Sequence, residues 1–280
     1  MKIEIHSTAG RDPDWKYARE TAEKLLSLGA EVYSPHIPLG LLPDGVKAGN
    51  ADLPDVAAVL GGDGSIMRVL RRMAPKHIPV LGINIGHLGY LAELKTDELD
   101  RLSLLFSGDY TVEHRSLLNV GVIGRNGYGH SAIAVNDAVL SHGSNGRMLD
   151  IEVWRDGLAY GSVRADGYIV STATGSTAYS LSAGGPVIEP SVPCLCMLPI
   201  CPHSLTARPL IVPDDGEINL IYKGRGGPAY LAVDGTQTAE LFAGDSVKIT
   251  KSHLTADFIR FGDTPRVSFA TVLREKMSQN

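Results

Sequence analysis

The stretch Asp55-Val-Ala-Ala-Val-Leu-Gly-Gly-Asp-Gly-Ser-Ile-Met-Arg-Val-Leu-Arg71 admits few folds. Val56 to Leu60 is a short apolar run, the pattern of a buried strand. Gly61, Gly62 and Gly64 then surround a single carboxylate, Asp63, and Ser65 opens a segment of helical periodicity. A strand that runs through a glycine turn into a helix N-terminus outlines an anion site. Glycine lets backbone N–H groups approach a phosphate closely, and the helix end adds positive partial charge. The same residues also suit a tight strand-to-helix connection with Asp63 as its cap. A carboxylate repels phosphate unless it holds a metal or manages a proton, so phosphoryl transfer fits this turn better than phosphate binding alone.

Around this turn the first third of the chain alternates strand and helix. Lys2 to His6 reads as a strand, and Asp12-Pro13 as an N-cap followed by proline at the first helical position. Tyr17, Ala18, Ala22, Leu25 and Leu26 recur at helical spacing before Gly29. Glu31 to Tyr33 and Ile78 to Ile83 read as strands, Pro35 to Asn50 as a loop and Asp97 to Phe106 as a helix. The expectation is an α/β domain over 1–107 with a mostly parallel sheet. From about residue 108 short strands follow one another, with Asp156-Gly157 and Asp234-Gly235 as turn signals. The expectation for 108–261 is an all-β, sandwich-like domain. The last segment, 262–280, is expected to return to the first domain.

Composition narrows the class further. A hydrophobic share of 44% with 20% charged residues suits a soluble globular protein, and a net charge of -5 gives no general attraction to nucleic acid or anionic membrane. No apolar run approaches the roughly 18 residues of a membrane span, and the start lacks the apolar core of a signal peptide. Cys194, Cys196 and Cys201 match neither an even disulfide set nor a zinc pattern. They read as small buried hydrophobes of a cytoplasmic protein.

Three more segments are more polar than a scaffold requires. Asn136-Asp137 interrupts an apolar strand read over Ala132 to Leu140, where burying the pair without partners would cost a few kcal/mol; a bulge or a strand end is the alternative. Arg164 to Pro186 carries hydroxyls at Ser171, Thr172, Thr174, Ser176, Thr177, Ser180 and Ser182 among small residues and ends in Gly184-Gly185-Pro186. Many donors and acceptors with little bulk suit a sugar or an adenine edge, or else a polar surface loop. Asp234-Gly-Thr-Gln237 reads first as a hairpin turn.

Taken in order, the pieces Gly61-Gly-Asp-Gly64, Gly82-Ile-Asn-Ile-Gly-His-Leu-Gly-Tyr90, Asn136-Asp137, Arg164 to Pro186, Pro199-Ile-Cys-Pro-His-Ser-Leu-Thr-Ala-Arg-Pro209 and Asp234-Gly235 resemble the NAD kinases. That family phosphorylates the adenosine-ribose 2′-hydroxyl of NAD to give NADP. Gly-Gly-Asp-Gly is shared with lipid kinases and phosphofructokinases. Thr174 to Gly185 with an Asn-Asp pair upstream is specific. Ser65 stands where Thr is usual, Asp137 where Glu is frequent and Ala173 where Pro is common.

The resemblance implies ATP and NAD as substrates, with Mg²⁺ or another divalent cation accompanying ATP. It implies Asp63 as acceptor of the 2′-hydroxyl proton, with Gly61, Gly62 and Gly64 at the triphosphate. Asn136, Thr177, Ala178 and Tyr90 match adenine contacts. Asp137 matches a holder of ribose hydroxyls, and Tyr179 a sugar-packing residue. Asp166, Ser182, Arg164 and Arg147 match positions for the nicotinamide half. Thr174, Ser180 and Leu181 belong to the same binding segment; Arg68 and Gln237 complete the set. It further implies a dinucleotide between the domains and a homodimer or homotetramer formed through the β domain. A lipid or sugar kinase and a non-catalytic NADP(H)-binding regulator are the competing readings.

Overall fold

The computed structural model describes residues 1–86, 89–124, 129–224, 227–262 and 269–278. The chain forms two compact units, Met1–His114 with Ala256–Asn280, and Arg115–Thr255. The division thus falls later than residue 108 and gives 256–261 to the first unit. The reason is that the strand Ser246–Phe261 changes its neighbours part-way along: Ile218 to Ile221 pair with its first half, and Phe258 pairs with Val80.

In the first unit the strands are β1 (Lys2–His6), β2 (Glu31–Ser34), β3 (Lys47–Ala48), β4 (Val56–Gly61), β5 (Val80–Asn84) and β6 (Leu94–Lys95). They pair in parallel in the order β3-β2-β1-β4-β5, with β6 and Phe258 also beside β5. Helix α1 (Lys16–Ser27) joins β1 to β2, and α2 (Asp63–Met73) follows β4. Every residue of β4 and β5 is buried, as parallel strands covered on both faces require. Ile3, Ile5, Val32, Val56, Ala58, Leu60, Leu81 and Ile83 pack with Ala18, Ala22 and Leu25 of α1 on one face. Ile66, Leu70 and Met73 are the buried stripe of α2.

Helix α1 starts at Lys16, three residues after the proline that was expected to open it, because Trp15 takes a left-handed φ of 55°. The Asp12 carboxylate nonetheless accepts the N–H groups of Tyr17 (3.2 Å) and Ala18 (2.9 Å), capping the helix from outside it. The segment expected as a helix over 97–106 is a 3-10 turn, Leu99–Ser103, running into a four-residue helix, Leu104–Ser107. Of the final segment, 263–268 and 279–280 lie outside the described residues. Its helix, Phe269–Met277, belongs to the first unit, where Phe269 meets Tyr90 with ring centroids 6.0 Å apart.

The second unit is a sandwich. One layer holds β7 (Tyr110–Ile123), β8 (Gly129–Ala134), β10 (Leu149–Arg155), β11 (Leu158–Ala165), β15 (Ile218–Tyr222) and the first half of β18 (Ser246–Phe261). The other holds β9 (Asp137–Ser141), β12 (Gly167–Thr172), β13 (Cys194–Ile200), β14 (Leu210–Pro213), β16 (Ala229–Val233) and β17 (Thr236–Leu241), in the order β14-β13-β12-β9-β16-β17. Leu118, Val120, Ile151, Leu220 and Ile249 of the first layer meet Leu140, Val170, Met197, Leu231 and Leu241 of the second. Beneath the second layer lies another apolar cluster, Val139, Ile169, Ala173, Ile188, Cys194, Cys196 and Leu198. This sheet is therefore buried on both faces, and all six residues of β12 are buried. Cys201 departs from the sequence reading: it is an exposed free thiol, because β13 ends at Ile200 and Cys201 turns with φ 44°.

Among the described residues no helix is long and apolar enough to cross a membrane.

Candidate active site

In the first unit the site grows from the end of β4. Gly61 has φ 152°, and a Cβ there would lie 2.8 Å from Ser65 Oγ, so only glycine allows the turn. Gly62 is the extended N-cap of α2 and its carbonyl accepts the N–H groups of Ser65 (2.9 Å) and Ile66 (3.2 Å). Asp63 is the first residue of α2, and both its carboxylate oxygens reach the second glycine loop. Oδ2 accepts the Tyr90 N–H at 3.0 Å and Oδ1 the Leu91 N–H at 3.1 Å. Gly89 makes that approach possible, since a Cβ on it would lie 2.9 Å from Asp63 Cγ. His87 and Leu88 of this loop lie outside the described residues.

An Asp at the start of a helix, held bidentately by two backbone N–H groups, keeps lone pairs free for a further hydrogen bond. Tyr90 stands over it; burial and then the Asp63 charge raise the Tyr90 hydroxyl pKa. Lys276 Nζ sits 4.6 Å from the Tyr90 ring centroid. Arg68 is exposed on α2 and lines a cavity along that helix.

In the second unit Asn136 lies between two strands and Asp137 opens β9. The apolar run read over Ala132 to Leu140 is two strands in different layers, β8 and β9, and the polar pair marks the crossover. A chain leaving one sheet for another strands its N–H groups, and here Asp234 accepts them. Its carboxylate receives Val135 N–H at 2.9 Å, Asn136 N–H at 2.8 Å and Asp137 N–H at 3.2 Å, while its own N–H donates to the Asp137 carbonyl at 3.0 Å. Asp234 is not among the site residues read from the sequence, because Asp-Gly between two strands already explains itself as a hairpin turn. Burial and then the Asp234 charge push the Asp137 carboxyl up to about 7.

The hydroxyl-rich segment lies against the same crossover. Thr172 Oγ1 donates to the Val135 carbonyl at 2.8 Å and accepts Gly175 N–H at 3.0 Å. Gly175 packs so closely on Asn136 that a Cβ would lie 2.6 Å from its carbonyl carbon. Thr174–Thr177 is a 3-10 turn and Tyr179–Ser182 a short helix, joined at Ala178. Thr174 and Ser180 are buried; Tyr179, Leu181 and Ser182 are exposed, and Thr177 and Ala178 half-buried. Ser180 thus faces inward, beside Cys196. Gln237 is exposed just beyond the Asp234 turn.

Arg164, Asp166 and Arg147 do not join this group. Asp137 pairs with Ser171 near the end of β12, whereas Asp166 precedes its start. Five residues of extended strand separate the two positions, roughly 17 Å. Asp166 lies 3.7 Å from His142 Nε2, Arg164 Nε 3.8 Å from Asp150, and Arg147 is exposed before β10. The Arg164 carbonyl accepts the His203 N–H at 2.8 Å, which ties the Pro199–Pro209 segment to this end.

Family models for the ATP-NAD kinase N-terminal domain and the ATP-NAD kinase C-terminal domain match residues 42–110 and 135–261. The NAD kinase of Symbiobacterium thermophilum is 42% identical over 84% of this chain and 82% of its own length. That of Heliobacterium modesticaldum is 38% identical over 99% and 95%. This chain belongs to the NAD kinase family. It is therefore a phosphotransferase, and the lipid- and sugar-kinase readings of the glycine turn give way. The fold agrees. A yeast NADH kinase crystallised with NADH superposes with a TM-score of 0.88 at 24% identity, covering all of this chain and 88% of that one. An Archaeoglobus fulgidus NAD kinase in complex with ATP gives 0.74 at 25% identity, covering 99% and 98%. The two NAD kinase domain models fall on the two units that carry Asp63 and Asn136-Asp137 respectively.

Proposed function

We propose that this NAD kinase moves the γ-phosphoryl group of ATP to the 2′-hydroxyl of the adenosine ribose of NAD, with Asp63 as the proton acceptor. The carrying observation is the fixation of Asp63 at the start of α2 by the Tyr90 and Leu91 amides. In a loose phosphoryl-transfer transition state the nucleophile's proton leaves late, so positioning matters more than base strength. Held on both oxygens, Asp63 can accept the hydroxyl proton with little reorganisation. The amides around Gly61–Gly64 and the α2 N-terminus face the donor's phosphates.

The second unit binds NAD. Asn136, Thr177 and Ala178 contact adenine, Asp137 holds ribose hydroxyls and Tyr179 packs on a sugar. Thr174, Ser180 and Leu181 shape the segment, and Gln237 flanks it. Arg164, Asp166, Arg147 and Ser182 serve the nicotinamide half. Their distance from Asn136-Asp137 suits a dinucleotide whose far end is completed by a second subunit. Exposed Leu158 and Tyr160 on β11 and Leu210 and Ile211 on β14, all edge strands, support a homodimer or homotetramer built through this unit. Light scattering of the purified protein tests that.

Mg²⁺ or another divalent cation accompanies ATP. Among the described residues no three His, Cys, Asp or Glu side chains gather as ligands. A magnesium ion arriving with ATP would be held mainly by the substrate's phosphates and water. Bound with ATP, the ion neutralises triphosphate charge. The free thiols of Cys194, Cys196 and Cys201 support a cytoplasmic site of action.

The deciding experiment is NADP formation from Mg-ATP and NAD by wild type and Asp63→Asn. The variant should keep its fold and NAD affinity and lose its rate by orders of magnitude, as roughly 10²–10⁴-fold effects of general bases indicate. A variant retaining most of its rate removes Asp63 from the role. A folded wild type that makes no NADP leaves a binding regulator as the reading.

A further inference from the structure

A group of charges holds the far end of the glycine loop that meets Asp63. Leu91 makes two backbone contacts: its N–H donates to Asp63 Oδ1 at 3.1 Å, and its carbonyl accepts Arg260 Nη1 at 3.3 Å. One residue thus lies between the proposed proton acceptor and a guanidinium. Arg260 is itself anchored. Its Nε donates to Glu113 Oε2 at 2.7 Å and its Nη1 to Glu93 Oε2 at 3.2 Å, while its Cζ stands 5.0 Å from the Phe258 ring centroid. Glu93 is tied in turn: its Oε1 accepts the Phe261 N–H at 3.0 Å, and its own N–H donates to the Gly82 carbonyl at 2.9 Å.

These residues come from distant parts of the chain. Leu91 and Glu93 lead into β6, Glu113 is on β7 and Arg260 on β18. β7 carries the chain out of the first unit after His114, and β18 brings it back at Ala256, so all four belong to that unit. The Arg260 side chain is 11% exposed and that of Glu93 15%. Desolvation offsets much of the attraction between charges withdrawn from water, so stability alone is a weak account of the group. What a guanidinium supplies is direction, because its donors form a rigid planar fork. The loop beside it has little room: a Cβ on Gly82 would lie 2.9 Å from Ala92 Cα and 3.4 Å from the Leu91 carbonyl oxygen.

We propose that Arg260, anchored by Glu93 and Glu113, is a positioning residue for phosphoryl transfer: it holds the Leu91 peptide so that the Leu91 amide fixes Asp63 toward the acceptor hydroxyl. The inference rests on the reading of Asp63 as proton acceptor. Arg260 acts through Leu91 and not on a substrate. Without it the backbone at Leu91 gains freedom to turn, Oδ1 loses its donor, and Asp63 is left on the Tyr90 amide alone. A base must meet the proton it accepts within about 2.6–3.2 Å, and a misplacement of about 1 Å costs up to roughly 10²-fold. The loss therefore falls on the chemical step and spares the binding of either substrate. An ion pair that served stability alone would change the amount of folded protein and leave kcat per folded molecule as it was.

Arg260→Lys keeps a positive charge between the two glutamates, but a single ammonium lacks the fork that spans Glu113 and the Leu91 carbonyl. NADP formation is followed with ATP varied at saturating NAD, and with NAD varied at saturating ATP. The expected result is a kcat per folded molecule lowered about 10-fold or more, both KM values within about 2-fold of wild type, and a thermal midpoint close to wild type. The same substitution is then made in the Asp63→Asn background, with the residual NADP read by enzymatic cycling. A residue that acts through Asp63 has nothing left to position there, so the residual rate should change less than about 2-fold. If Arg260→Lys is poorly folded, Glu113→Gln carries the test: it loosens the anchor and should lower kcat about 3-fold with the same non-additivity. An equal loss of kcat in both backgrounds, a rise in KM without a fall in kcat, or a wild-type kcat in the folded variant overturns the assignment while NADP formation itself stands. An Asp63→Asn protein that keeps most of its rate overturns the reading of Asp63 and this inference with it.

Discussion

Asp137 ties the chemistry of the NAD-binding segment to the stability of the second unit. Its side chain is 4% exposed, and burial, then the neighbouring Asp234 charge, bring its pKa from 3.8 to about 7. The carboxyl is thus protonated in the folded protein over a range where the unfolded chain has already released that proton. Stability from this group is fully present below about pH 4 and is lost as the pH rises through 7. A pKa raised that far corresponds to roughly 4 kcal/mol at the upper end of that window. Asp137→Asn keeps the shape and removes the ionisation. The variant should match wild type near pH 4 and become the more stable protein as pH rises, by an amount approaching that figure above pH 7. The chain has two tryptophans, Trp15 and Trp154, one in each unit. In a Trp15→Phe background, urea unfolding followed by Trp154 fluorescence therefore reports the second unit alone. Midpoints are collected from pH 4.5 to 8 without ligand. A difference between the Asp137→Asn variant and its parent that stays constant with pH, or that favours the parent at high pH, refutes the reasoning.

Three other outcomes follow from the same geometry. Gly89→Ala places a methyl group against the Asp63 carboxylate; it should lower kcat at least 10-fold with little change in the KM for NAD, read from steady-state NADP formation. Thr172→Val leaves the Gly175 N–H without its acceptor and removes the donor to the Val135 carbonyl. It should cost about 1–3 kcal/mol in the unfolding of the second unit and raise the KM for NAD, since Asn136 and Gly175 lose their common brace. Iodoacetamide on the native protein should label Cys201 alone, because Cys194 and Cys196 are buried and burial raises both their thiol pKa values; mass spectrometry of the intact chain should show one adduct native and three after unfolding.

What could be seen in the sequence was governed by the range over which each signal acts. The Val56 to Ser65 turn was legible because its causes are local: an apolar run, a glycine that must take φ 152° and a helix start. Helix α1 was legible in its apolar spacing but not in its first residue, since Asp12 caps it across a loop closed by the left-handed Trp15. Strand β18 read as two strands, Ser246 to Thr250 and Ala256 to Phe261. Its first half alternates buried and less buried residues as one layer of a sandwich, and its last part is buried nearly throughout beside β5. Periodicity records how many faces are covered, so one continuous strand with two environments looks like two elements.

Asn136-Asp137 makes the same point for the site. The polar pair was visible as a breach in an apolar run, yet what the breach does depends on Asp234, about a hundred residues away in sequence. A carboxylate that caps a sheet-to-sheet crossover has no local signature. It also fixes the backbone on which the proposed adenine and ribose contacts stand, and its charge adds to the burial that raises the pKa of the neighbouring carboxyl. One residue that reads as a hairpin turn therefore sets the geometry of the pair and contributes to its ionisation. Substituting Asp234 should disturb NAD binding more than it disturbs the hairpin itself.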